Sequence, residues 1–138
     1  MKDLEIAKVR LSERNLSLVI VKDNKIIFET RSPGLGGFLQ AIELLDKELA
    51  ESSVADKIMG RAAALLSVYS CVSAVFSVTI SEEAIKVLED NGILYQFENR
   101  VLKILNFKGD DMCPFEKLTM TLTNPAEAYS KLKSLIKT

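Results

Sequence analysis

The side chains whose type and spacing could do chemistry fall in three short stretches. Cys113 precedes Pro114, and proline suits the first position of a helix, so the thiol stands where helix N–H groups favour thiolate. Lys117 lies one turn on, while Asp110, Asp111 and Glu116 act in the opposite electrostatic sense. A cysteine nucleophile or redox thiol, with an aspartate or lysine moving the proton, is one reading of this stretch. A small packed residue at a helix start is the other. The second stretch is Ser53-Val54-Ala55-Asp56-Lys57, followed by Arg61. Ser53 and Asp56 have capping-box spacing. Lys57 and Arg61 are four residues apart, and on a helix they would share a face as an anion-binding pair or as a solvated one. The third stretch is Ser81-Glu82-Glu83, a helix cap followed by two carboxylates at the positive end of the dipole. Asp110, Asp111 and Glu116 also offer oxygens to a divalent cation, but three carboxylates in a loop and first turn serve equally as caps and solvent-facing charges, and no metal is assigned.

What is missing narrows the chemistry further. The 138 residues contain no histidine, which removes serine–histidine triads, His-ligated zinc and imidazole acid–base catalysis within one chain. Eighteen basic residues against nineteen acidic ones leave a net charge of −1, and binding to a nucleic-acid polymer runs on a surplus of Lys and Arg. Two cysteines are too few for a disulfide framework and lie in no metal-ligand spacing; Cys71, inside an apolar run, is expected to be packing. Arg31 with Gly34, Gly36 and Gly37 matches neither phosphate-binding glycine pattern and reads as a turn. The first residues alternate charge with apolar side chains, unlike a signal peptide, so a cytoplasmic protein is expected. Residues 62–80 carry no charge, close to the length of a membrane span. Their serines, and a change midway from Ala/Leu to alternating Val, Phe and Ile, suit a buried helix running into a buried strand instead.

These stretches must be positioned by a single domain of ordinary globular composition, residues 1–138. An amphipathic helix is predicted over residues 3–14, closed by Asn15. Residues 16–22 and 25–30 are β-rich runs joined by Asp23-Asn24, a tight hairpin. Val19, Ile20 and Val21 are consecutive, so the first strand should be covered on both faces. Helices follow over residues 38–49 and 53–70, the second apolar nearly all round beyond Arg61 and therefore central. A buried strand over 74–80 leads to a helix over 82–90, ended by Asn91-Gly92. Residues 93–97 read as a strand, 101–107 are ambiguous, and a short helix opens at Cys113-Pro114. A final helix follows Asn124-Pro125, with Ala128, Leu132, Leu135 and Ile136 facing inward. The order implies an α/β fold, a three-layer α-β-α arrangement whose mixed sheet joins an N-terminal hairpin to parallel strands.

Taken together, Ala55-Asp56-Lys57, Gly60-Arg61-Ala62-Ala63-Ala64-Leu65-Leu66 and Met112-Cys113-Pro114-Phe115-Glu116-Lys117 resemble a small prokaryotic family of unknown function. The resemblance covers nearly the whole chain and implies a cytidine-deaminase-like fold without an established activity. Active deaminases place His-x-Glu or Cys-x-Glu at the start of the central helix and Pro-Cys-x-x-Cys at the start of the next crossover helix, where they bind zinc and shuttle the proton. The corresponding places here are read as residues 53–57, without His or Cys, and 80–84, without Cys; Cys113-Pro114 reverses the dipeptide and follows a later strand. The expectation is a zinc-free relative with no implied cofactor, binding a small anionic or nucleotide-like ligand beyond the carboxyl ends of the parallel strands. Lys57 and Arg61 would neutralise charge, Asp56, Ser81, Asp111 and Glu116 would orient polar groups, and Lys117 belongs to the same set of ligand-binding residues. The alternatives are a cysteine-dependent enzyme using Cys113 and a non-catalytic homo-oligomeric scaffold; a homodimer is compatible with the first two readings and is the expected assembly.

Overall fold

The computed structural model describes residues 2–106 and 108–137. Its centre is a five-stranded sheet in the order β2-β1-β3-β4-β5, formed by β1 (Leu18–Lys22), β2 (Lys25–Thr30), β3 (Ser53–Met59), β4 (Ala74–Ser81) and β5 (Leu94–Val101). β1 runs antiparallel to both β2 and β3, whereas β3, β4 and β5 are mutually parallel. The sheet is mixed, as the element order implied. Asp23 and Asn24 turn the hairpin with φ of 52° and 66°, the left-handed values that a tight two-residue connection requires. Val19, Ile20 and Val21 are all fully buried, so β1 is covered from both sides.

One face of the sheet carries α1 (Lys2–Glu13), whose Leu4, Ala7 and Leu11 pack on Val19, Val21, Ala55, Ala74 and Phe76. Val9 points away and is half exposed, which is why the apolar stripe of this helix looks imperfect. The other face carries α2 (Gly36–Leu45), α3 (Arg61–Tyr69), α4 (Glu82–Asp90) and α6 (Pro125–Lys137) over the larger core. The short α5 (Pro114–Thr119) lies against α3 and α6. The charge-free run 62–80 is α3 followed by β4, and no helix among the described residues is long and apolar enough to cross a membrane.

The main departure from expectation is at residues 53–59, which form the central strand β3 and not the first half of a helix. Their serine–aspartate spacing mimics a capping box, but pairing to β1 on one side and β4 on the other outweighs that local signal. Val54 and Ala55 are fully buried as a result. Lys57 and Arg61 therefore share no helix face. The helix predicted over 38–49 starts at Gly36 and tightens into a 3-10 turn over Asp46–Leu49. β5 runs on to Val101, beyond the predicted end at 97. Residues 102–106 are irregular apart from a bridge between Leu105 and Met112, and Phe107 lies outside the described residues. Leu135 and Ile136 are exposed while Ala128 and Leu132 are buried, so α6 presents a narrower apolar face than expected. Cys71 is exposed as well, held at φ 59° in the turn after α3.

The Ser81 cap is as expected: its Oγ accepts the N–H of Ala84 at 3.1 Å. Ser81 is buried, so its removal leaves an orphan donor without water to replace it. Ser81→Ala is expected to lower stability by about 1 kcal/mol, read as a lower urea midpoint at unchanged m-value.

Candidate functional site

A cleft of about 510 Å3 opens at the carboxyl end of β3, between the starts of α2 and α3. Such openings arise beyond the carboxyl ends of parallel strands, where helix N-termini converge. Its walls are largely apolar, with Leu18, Phe38, Ile58, Ile104, Leu105 and Phe115 among them. Residues 104–106 and 113–116 form its roof.

Asp56 lies on this cleft, half-buried, beside Leu18 of β1 and Ser77 of β4 in register. Burial pushes its carboxyl up to about 7, against an opposing pull from the backbone N–H groups of Ile58 and Lys57. Among the described residues no side chain donates to it. Lys57 follows on the strand, and alternation turns it to the opposite face. There Nζ donates to Asn15 Oδ1 at 3.1 Å and the side chain joins a groove beside Phe76. Only part of Lys57 borders the cleft.

Glu116 is the most constrained acid in the site. It reaches from α5 to the start of α3, where its two carboxylate oxygens accept the N–H groups of Arg61 at 2.7 Å and Ala62 at 2.9 Å. Those are two of the donors that a helix N-terminus leaves free. Desolvation raises its pKa, opposed by those N–H groups and by the Arg61 charge, and reinforced by Glu83. Gly60 makes the approach possible, because a Cβ there would lie 2.3 Å from Glu116 Oε1. Arg61 completes the lock by donating to the carbonyls of Thr119 at 2.8 Å and Leu122 at 2.6 Å, and it pairs with Glu83 at 3.5 Å. Its guanidinium is committed to holding the chain together.

The remaining expected residues divide between the cleft and its surroundings. Cys113 borders the cleft, half-buried; its N–H donates to Ile104 O at 3.0 Å and its carbonyl accepts from Glu116 and Lys117 N–H. Ser81 and Arg61 border a separate void of about 40 Å3, with Glu116 as the partition. Asp111 and Lys117 pair with each other on the outside, where the lysine holds the aspartate below the ordinary carboxylate range. Asp56, Lys57, Cys113 and Glu116 thus meet at one hollow; Ser81, Arg61, Asp111 and Lys117 surround it without entering. Reading the sequence missed the apolar walls and the capping role of Glu116. The one available signal was Gly60, set between a buried strand and an alanine-rich helix.

The family model described as a domain of unknown function, DUF1893, matches residues 6–136. The chain belongs to the DUF1893 family. A crystal structure of a DUF1893 protein from Thermotoga maritima is 28% identical to it, covers 96% of this chain and 89% of that one, and superposes with a TM-score of 0.88. RibD from Acinetobacter baumannii has 17% identity and a TM-score of 0.52 over 70% of the DUF1893 chain, though only 34% of RibD. A dCMP deaminase from cyanophage S-TIM5 has 11% identity and a TM-score of 0.50, covering 70% of this chain and 94% of that one. At such identities the likeness to the last two concerns the fold, which is deaminase-like. No curated protein matches the sequence.

Active deaminases place their zinc ligands at helix starts. Residues 53–57 lie within β3, so the helix starts at the cleft are those of α2 and α3. Neither they nor the start of α4 carries His or Cys. Cys113 lies by the beginning of α3 and Cys71 beyond its end, separated by a helix of roughly 13 Å at the usual rise per residue. Catalytic zinc takes three protein ligands. Among the described residues no group of three His, Cys, Asp or Glu is placed to hold a metal ion.

Two outcomes follow from this geometry. Gly60→Ala is expected to destabilise by about 1–3 kcal/mol through the clash with Glu116, and Gly60→Ala/Glu116→Ala should lose less than the sum of the single changes. A thermodynamic cycle from urea melts measures the coupling. For Asp56, ionisation is harder in the folded chain than in the unfolded one, whose carboxyl is taken at 3.8. Its contribution is then absent below pH 4, turns unfavourable as pH rises toward 7 and levels off above. Asp56→Asn is expected to be the more stable protein at pH 8 by on the order of 2 kcal/mol and to lose that advantage near pH 4. Melts across that range read the difference.

Proposed function

We propose that this DUF1893 chain binds a small ligand, nucleotide-like in having a flat polar-edged ring, and that the ligand sits in the cleft above Asp56. The observation that carries this reading is one half-buried carboxyl that, among the described residues, has no side-chain partner, on an apolar hollow of about 510 Å3. Pockets of roughly 300–1,000 Å3 with apolar walls and few convergent polar groups are the usual form of small-molecule sites. Phe115, together with Ile58 and Leu105, supplies apolar surface for a ring, and Asp56 supplies the polar contact. The anionic part of the expectation has less support, since Arg61, Lys57 and Lys117 direct their charges elsewhere. A cytoplasmic setting accords with the two unpaired cysteines.

A thermal-shift screen over nucleobases, nucleosides, nucleotides and phosphorylated metabolites tests the reading. A true ligand at 100 times its Kd should stabilise by about 2.7 kcal/mol. A screen in which nothing raises Tm counts decisively against it.

A second reading makes Cys113 a reacting group, favoured by its place on the same cleft as Asp56. It expects iodoacetamide to label Cys113, with a cleft-bound ligand protecting Cys113 and leaving Cys71 unprotected. Equal labelling of both with and without ligand refutes it. The expected homodimer is supported by the free edge of β5, where Leu94 and Phe97 are exposed; light scattering decides it, a monomer at all concentrations being the contrary result.

A further inference from the structure

The balance of charge around the cleft separates the ligands it can hold. Lys57 is the sole cationic residue among the described residues that line it, and its ammonium lies on the far face of the sheet at Asn15. Arg61, at the rim, spends its guanidinium on two carbonyls and Glu83; Lys117 spends its ammonium on Asp111. Two carboxyls remain on the lining, Asp56 and Glu116. Glu116 is saturated by the first two N–H groups of α3, whereas Asp56 faces the hollow. The carboxamide of Asn106, also on the lining, is occupied by Asp110 and the N–H of Gly109. Among the described residues that line this hollow, an anion would meet acids and apolar surface and no cation free of another partner. A positively charged nitrogen would meet a carboxyl whose ionised form burial disfavours and a bound cation restores.

From this we infer that the cleft selects small cationic, amidine-like ligands: a flat apolar body against Phe115 and Ile58, with paired N–H groups donating to Asp56. This deepens the small-ligand reading and rests on it. Asp56 is its specificity-determining residue. An amidinium and a carboxylate share planar, two-pronged geometry, which makes their hydrogen bonds charge-assisted and directional.

Benzamidine, benzamide and benzoate form a probe set of nearly one shape carrying charges of plus one, zero and minus one. Their Kd values for the full chain, and for Asp56→Asn, are measured by calorimetry or NMR titration at pH 8, with protection of Cys113 from iodoacetamide locating the ligand. Benzamidine is expected to bind at least ten-fold more tightly than benzoate, with benzamide between them, and Asp56→Asn should abolish the order. Benzoate binding as well as benzamidine overturns the charge selection while leaving the small-ligand reading intact. An unchanged order in Asp56→Asn removes Asp56 from the role. If Asp56→Asn does not fold, the wild-type order measured at pH 5.5 and 8 replaces it: benzamidine should tighten with pH, and a flat response overturns the assignment. Failure of all three probes to bind or protect Cys113 overturns both the selection and the pocket.

Discussion

The carboxylate of Glu116 on the first two N–H groups of α3 is the contact around which the site is organised. It joins segments 54 and 55 residues apart in the chain and satisfies two of the N–H groups that the start of α3 would otherwise leave without a partner. Three sequence features have to coincide for it to exist. A glycine must precede the helix so that the carboxyl can come close, Pro114 must start the short helix that carries it, and Arg61 must tie the following turn down through Thr119 and Leu122. An acid buried at this point is expensive to desolvate, and it is tolerated because the dipole and N–H groups of α3 compensate it. An internal carboxylate occupies the end of the helix, and the cleft beside it is left apolar.

The sheet supplies the second half of the arrangement. β1 runs against β3 while β4 and β5 run with it. The carboxyl end of β3 is therefore flanked on one side by the beginning of an antiparallel strand and on the other by a parallel neighbour. Alternation along β3 then separates two adjacent charges, Asp56 to the cleft and Lys57 to the α1 side. That separation gives the cleft its electrostatic character, and it arises from a strand period of two residues rather than from any special motif.

Much of the fold was legible from local pattern. The hairpin at Asp23-Asn24, the cap at Ser81, the stop at Asn91-Gly92 and the helix after Pro125 all rest on turn chemistry or caps acting within a few residues. The failure at residues 53–59 has a definite cause. The segment lacks strict alternation because it is buried on both faces at Val54 and Ala55, and its helix-like cap spacing was the stronger local signal. Only pairing with two neighbours, neither adjacent in sequence, makes it a strand. The site was legible in its residue types and not in its geometry. Asp56, Lys57, Cys113 and Glu116 border one hollow, but a cation's direction depends on which side of a strand it leaves from, and Arg61 was read as a ligand contact when its partners are backbone carbonyls some sixty residues away.

The roof of the cleft and the main core share a fastening. Residues 113–116 are tied to the start of α3 through the Glu116 carboxylate, and α5 behind them rests on the core through Phe115 and Leu118. One side chain therefore both holds a wall of the hollow and closes the first turn of a central helix, so a change at position 116 loosens the wall and the helix end together.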